Sequence, residues 1–320
     1  LPDIDRWYRY CLPLFPLAVR GLKPESVDLV VSTSHCAVKA VRAPGEAHHL
    51  CYCFTPMRYA WCFFDEYFGS DPLKAAVARP VLASLRRWDR RTARRVDRFV
   101  AISRHIQERI QTAYGRESDV VFPPVDTNRY TPIDADAAPS SRDFDLVVAA
   151  LVPYKRVDLA VAAYARSGFP LKVVGTGSEY RRLTSLAQGA ANVEFLGWRT
   201  DEDVRELYRR CRFLVFPGEE DFGIVPLETQ ACGRPVVAYG RGGATETVAD
   251  GISGVFFRKQ TPDSLNEAVR RASGIAWNPD AIRQHAERFG PQAFINGLAE
   301  SIRSIDSPMA RISPDPKRTV

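Results

Sequence analysis

Short apolar runs closed by glycine or proline alternate along this chain with stretches of helical periodicity. Residues 212–216, RFLVF, are ended by Pro217 and Gly218, the pattern of a buried strand running into a loop. From Ile224 the apolar positions Ile224, Leu227, Ala231 and Cys232 recur at helical spacing, and Gly233, Arg234 and Pro235 supply a stop. Residues 234–239, RPVVAY, repeat the strand pattern and lead through the glycine-rich turn at 240–246 into another helix. Such successive strand–loop–helix units predict an α/β fold with a parallel sheet and ligand loops at the carboxyl ends of its strands. The same signals predict strands over 27–32 and 145–150, a helical segment over 1–22 and two terminal helices between Pro279 and Ser304.

A polar, proline-bearing, aperiodic stretch near residues 131–142 reads as a linker. The predicted organisation is a first domain over 1–131, a linker over 132–143, a second domain over 144–278, terminal helices over 279–305 and a disordered tail over 306–320. At 320 residues and 45% hydrophobic content the chain can bury two cores. Its seven cysteines, with no CxxC pair, argue against a disulfide framework or a zinc site, and Cys51 and Cys53 read as small buried apolar residues. No run reaches the ~18 to 20 consecutive apolar residues of a membrane span.

The segment with most chemistry is GEEDFGIVPLE at 218–228. A helix opening directly after a strand leaves backbone N–H groups unpaired, and its dipole favours an anion such as a diphosphate. Pro226 suits a first turn, where a missing N–H costs little. Glu220 then precedes the phosphate cradle and Glu228 lies one turn inside the helix. Carboxylates accept hydrogen bonds from hydroxyls, so this pair suits a sugar at one end and a ribose at the other. Taken alone, the segment fits a solvated acidic loop equally well.

Further motifs extend the pattern. ALVPYKRVD at 150–158, VGTG at 174–177, FLGW at 195–198, the segment 220–228 and DGISG at 250–254 together resemble the nucleotide-sugar half of a retaining glycosyltransferase of family four, the two-Rossmann-domain GT-B class. YCFTPMRYAW at 52–61, DEY at 65–67 and VFPPVD at 121–126 resemble mannosyltransferase-like enzymes of bacterial surface-polysaccharide and O-antigen assembly. The resemblance implies an α/β chain of two Rossmann-like domains, the first lacking its opening strands and glycine loop, so that the chain is a fragment. It also implies that the terminal helices cross back to the first domain.

By the same resemblance, the chain would move a hexose, with mannose from GDP-mannose as the branch's commonest case, from a nucleoside diphosphate sugar to a glycan or lipid-linked acceptor, with retention. The expected catalytic residues are Glu220, Lys155 and Arg156. Gly175, Gly177, Trp198, Arg199, Phe222, Gly223, Ile224, Val225 and Glu228 are expected to bind the donor, with the glycines of 174–177 letting backbone approach the nucleotide. Arg58 and Asp65 are candidates on the acceptor side. None of these matched motifs contains Asp-x-Asp, so neither a metal nor a cofactor beyond the donor is expected.

Two departures from the family pattern bear on activity. Ala149 and Ala150 replace its usual Gly-Arg, and Phe54 replaces the His of its His-Thr-Pro motif; Phe neither donates a hydrogen bond nor titrates. His48 and His49 are the nearest histidines in sequence. A catalytically impaired sugar-nucleotide-binding fragment is therefore an alternative reading.

The net charge is +6. Arg86, Arg87, Arg90, Arg91, Arg94, Arg95 and Arg98 follow helical spacing around Trp88, a face that suits anionic lipid headgroups or simply solvent. The expected location is the cytoplasm, including the inner membrane face. A basic nucleic-acid-binding protein is the remaining alternative, but no reading motif or aromatic platform accompanies the arginines, and no nucleic acid is expected as a partner.

Overall fold

In the computed structural model, which describes residues 8–61, 72–133 and 143–305, the chain folds as two compact α/β units. The first comprises Leu1–Val121 and Ile295–Val320, the second Phe122–Phe294.

The first unit opens with a 3-10 turn at Tyr8–Leu14 and a short helix α1 (Phe15–Arg20). The four strands β1 (Leu29–Ser34), β2 (His48–Cys53), β3 (Arg98–Ala101) and β4 (Asp119–Val120) form a parallel sheet in sequential order. Between them lie α2 (Arg58–Trp61), α3 (Pro72–Ala93) and α4 (Arg104–Tyr114). Cys51 and Cys53 are fully buried on β2, as their alternation predicts. The strand expected at 27–32 begins two residues later, at Leu29.

An ion pair lies inside this unit. Lys39 and Asp89 are 1% and 0% exposed, with Nζ to Oδ1 at 2.6 Å. The other oxygen of Asp89 accepts from Trp61 Nε1 at 2.8 Å and from the Tyr114 hydroxyl at 2.9 Å. Both oxygens of this carboxylate are thereby hydrogen-bonded, as burial of a charge demands.

The arginine series is only partly a helix face. α3 ends at Ala93, so Arg94 and Arg95 follow it and Arg98 opens β3. Arg98 grips Asp119 of β4 through two bonds of 2.8 Å, Arg90 donates to the Ala113 carbonyl at 2.9 Å and Arg95 to that of Ala40 at 3.0 Å; Arg86 bonds the Ala60 carbonyl. These four side chains serve the unit's own backbone and strands. Arg87, Arg91 and Arg94 are exposed and, with Trp61, Arg86 and Arg90, line a hollow of about 470 Å³.

The second unit contains β5 (Asp145–Val148), α5 (Val157–Ser167), β6 (Leu171–Val174), α6 (Tyr180–Leu186), β7 (Val193–Gly197), α7 (Asp201–Arg210), β8 (Leu214–Phe216), α8 (Ile224–Ala231), β9 (Val236–Tyr239), α9 (Ala244–Thr247), β10 (Gly254–Phe257), α10 (Pro262–Ser273) and α11 (Pro279–Glu287). A final helix, α12 (Pro291–Arg303), crosses the division between the units in sequence. The sheet is parallel throughout, in the order β10-β9-β8-β5-β6-β7. Strand order reverses between β5 and β8, the place where open α/β sheets receive ligands. Local signals agree with the elements: α7 starts on a capping box of Thr200 and Asp203, and Gly115 and Gly168 close α4 and α5 in left-handed conformation.

The division at Val121/Phe122 falls ahead of the boundary expected at 131. Phe122 stacks on Phe222 with ring centroids 5.8 Å apart, and Arg283 holds the carbonyls of Thr127 and Tyr130 at 3.0 Å each. These contacts tie residues 122–131 to the second unit. Most of the expected linker and the whole 306–320 tail lie outside the described residues. No helix among the described residues is long and apolar enough to cross a membrane.

Candidate functional site

The carboxyl edge of the second sheet gathers the residues that the sequence marks. Trp198 follows β7, Gly175 and Gly177 follow β6, Lys155 and Arg156 follow β5, and Glu220 follows β8. From β7 to β8 is three strand spacings, roughly 14 Å at ~4.8 Å each. Such a ledge is long enough for an extended nucleotide.

Lys155 and Glu220 stand on either side of the switch point and form an ion pair with each other. Their side chains are 21% and 12% exposed, so the pair is largely withdrawn from solvent yet reachable. Gly218 permits the approach: a Cβ there would press on the Lys155 backbone and the Tyr154 carbonyl at 3.0 Å. The Glu220 loop is fastened from its other side, where the Gly243 N–H donates to the Glu220 carbonyl at 2.7 Å and Gly242 bridges to Glu220.

Next in the chain, Gly223 takes φ +111 and caps α8 without a side-chain hydrogen bond. The first-turn N–H groups of a helix have no partner inside it, so the backbone of Gly223, Ile224 and Val225 offers donors at this edge. Phe222 is buried, stacked on Phe122 and tilted against Phe289, which anchors the loop beneath the helix mouth.

Glu228 lies one turn further in. Its carboxylate accepts from the Tyr208 hydroxyl at 2.9 Å, and the Tyr130 ring packs against that of Tyr208. Burial pushes its pKa above the usual 4.5, while the two phenols oppose that rise. The sequence marks Glu228 but not its tyrosines. A signal for Tyr208 exists, since Val204, Leu207, Tyr208 and Cys211 recur at helical spacing and an inward-facing tyrosine needs a partner for its hydroxyl.

Other expected residues fall differently. Arg156 takes a left-handed conformation with φ 52, the one non-glycine residue among those described to do so, and its guanidinium bonds Asp158 at 3.2 Å and Gln260 at 3.0 Å. Lys155 meets Glu220; Arg156 turns to its own helix start. Gly175 and Gly177 have a structural cause distinct from nucleotide approach: a Cβ on either would collide with the carbonyl of Ala149 or Leu151, so the β5 and β6 loops themselves fill the space. Trp198 is 70% exposed, and Arg199 beside it, also exposed, donates to the Trp198 carbonyl at 3.0 Å.

In the first unit, Arg58 opens α2 just after Phe54, Thr55 and Pro56. Phe54 packs edge-on against Tyr52 with centroids 5.5 Å apart. His48 and His49 start β2, whereas Phe54 follows its end, so neither histidine stands in for the missing one. His49 is fully buried against Ser32 Oγ at 2.8 Å. Asp65 lies outside the described residues.

Comparison with known proteins bears on the fold. Residues 133–289 match the family model of glycosyl transferases group 1. A D-inositol 3-phosphate glycosyltransferase of Rhodococcus erythropolis is 31% identical over 236 residues, 65% of this chain and 53% of that protein. The chain spans about half the length of the curated relatives it matches. Among solved structures, sucrose-phosphate synthase of Thermosynechococcus elongatus superposes with a TM-score of 0.75 at 19% identity, over 95% of this chain and 80% of that one. Anabaena HepE in complex with UDP superposes with a TM-score of 0.67 at 18% identity, over 95% and 84%. These structures share the fold of two parallel α/β sheets, and residues 133–289 are similar to a glycosyl transferases group 1 domain.

Proposed function

We propose that this chain transfers a hexose from a nucleoside diphosphate sugar to a glycan or lipid-linked acceptor, with retention at the anomeric carbon. The observation that carries the proposal is the Lys155–Glu220 pair, which spans the switch point beside the open start of α8. A bound donor exchanges this ion pair for better partners: its diphosphate takes Lys155 and the helix N–H groups, and a sugar hydroxyl donates to Glu220. Stabilisation of the departing diphosphate by fixed positive charge and backbone dipoles is then the main catalytic contribution. Glu228 receives the ribose hydroxyls. The Asp201-Glu202-Asp203 triplet is taken up by the capping box with Thr200 and by the Arg129 ion pair, and we propose a reaction insensitive to chelators.

The resemblance of residues 52–61 and 65–67 makes GDP-mannose the first donor to test, and the HepE complex makes UDP sugars the second. Calorimetric titration with GDP, UDP and ADP sugars decides among them, and NMR of the product reads the anomeric configuration. For the acceptor we propose a lipid-linked glycan at the cytoplasmic membrane face, met through Arg87, Arg91 and Arg94. Flotation with anionic but not neutral vesicles is expected; equal recovery with both removes this element. A second reading, a donor binder without transfer, is favoured by Phe54 and Ala150, and donor binding without turnover on any lipid-linked glycan would establish it.

A further inference from the structure

Two tyrosine rings pack together beside one carboxylate in the second unit. Tyr208 is fully buried near the end of α7, and its hydroxyl lies 2.9 Å from Glu228 Oε2. Tyr130, 8% exposed, approaches from the segment before β5, and the two rings meet with centroids 5.9 Å apart at 60°. Each tyrosine stands on a fastened backbone. The Tyr130 carbonyl is held by Arg283 at 3.0 Å, and the Tyr208 carbonyl accepts from Cys211 Sγ at 3.3 Å. Packing alone does not require this arrangement, because phenylalanine at either position would fill nearly the same volume and bury no hydroxyl.

An ionised carboxylate has about four acceptor positions, and the Tyr208 phenol uses one. We infer that Tyr208, bonded to Glu228, and Tyr130, packed on the Tyr208 ring, are positioning residues for the nucleoside end of the donor site: they fix the Glu228 carboxylate so that its remaining lone pairs accept from ribose hydroxyls, which selects ribonucleoside over deoxyribonucleoside diphosphates. The inference rests on the reading of Glu228 as the ribose ligand. The tyrosines also oppose the rise in its pKa that burial causes. Burial and Asp201 push its pKa up, whereas Tyr208, Tyr130 and Arg129 pull it down. Of the groups around the phenols, Cys232 is itself held protonated, its thiol pushed up to about 12 by burial.

The test uses the full chain and the tightest-binding of GDP, UDP and ADP, together with its 2′-deoxy and 3′-deoxy analogues, titrated calorimetrically from pH 5 to 9. For the unaltered protein a ribose preference of roughly tenfold or more is expected, the scale of a hydrogen bond to a charged acceptor. Tyr130→Phe and Tyr208→Phe should each reduce that preference several-fold and move the acid limb of binding to higher pH, with thermal melting showing an intact fold. Should Tyr208→Phe fail to fold, the less buried Tyr130→Phe decides alone. Glu228→Gln should abolish the preference. Phenylalanine variants with an unchanged preference and unchanged pH profile would overturn the inference while leaving Glu228 in place; an unchanged preference in Glu228→Gln would overturn the reading beneath it.

Discussion

Gly175→Ala separates two explanations of the VGTG turn. If the glycine exists to admit a nucleotide, an alanine should cost binding and leave the fold intact. The structure gives the opposite expectation. Gly175 has φ +133, and its added Cβ would lie closer than 3.0 Å to the Ala149 carbonyl oxygen, a backbone atom that cannot swing aside. Overpacking of this kind costs about 1 to 3 kcal/mol, and the backbone conformation adds about 1 to 2 kcal/mol. Gly197→Ala is the internal control, since Gly197 has φ +69 and nothing within 4 Å of its added Cβ, so only the conformational part applies. At about 2 to 4 °C per kcal/mol for a unit of this size, Gly175→Ala should melt roughly 4 to 20 °C below the unaltered protein and Gly197→Ala roughly 2 to 8 °C below. Differential scanning calorimetry on the purified full chain measures both. A Gly175→Ala protein that melts normally but no longer binds nucleotide would refute the packing argument and restore the ligand-approach explanation.

Two further predictions concern buried charge. Asp89→Ala leaves the Lys39 ammonium without its counter-ion inside the first unit, and urea unfolding should register a loss of about 3 to 5 kcal/mol, whereas replacing Lys39 and Asp89 together by apolar residues should recover much of it. Glu228 has a raised pKa, so its protonated form is the one the fold favours: its contribution to stability is complete below the unfolded carboxyl pKa and is lost as pH rises through the folded value. Glu228→Gln should therefore gain stability relative to the unaltered protein as pH goes from 5 to 8; a relative loss over that range in paired thermal melts would contradict the assignment.

What the sequence made legible followed from local rules. The strand before Pro217 and the helix from Ile224 could be read because an apolar run, a proline–glycine stop and a helical period fall side by side. Lys155 and Glu220 are each marked by their own motif, but their contact spans 65 residues and depends on β5 and β8 being neighbours, which no local pattern encodes. Lys39 and Asp89 were invisible for the same reason: each reads as a surface residue until a partner 50 positions away removes it from water. Arg98 reads as part of a helix face because spacing continues across the end of a helix even when the backbone does not. Phe122 and Tyr130 read as the close of the first domain, whereas their aromatic contacts assign them to the second.

The central claim is that the carboxyl edge of the second sheet is a sugar-nucleotide site organised by Lys155. Its most direct test is calorimetric titration of the full chain and of Lys155→Ala with GDP, UDP and ADP sugars. The account predicts binding of at least one donor by the unaltered protein and a loss of about tenfold or more in the variant, the scale of a charge-assisted hydrogen bond. Equal affinity in both proteins, or no binding by the unaltered chain, would contradict it.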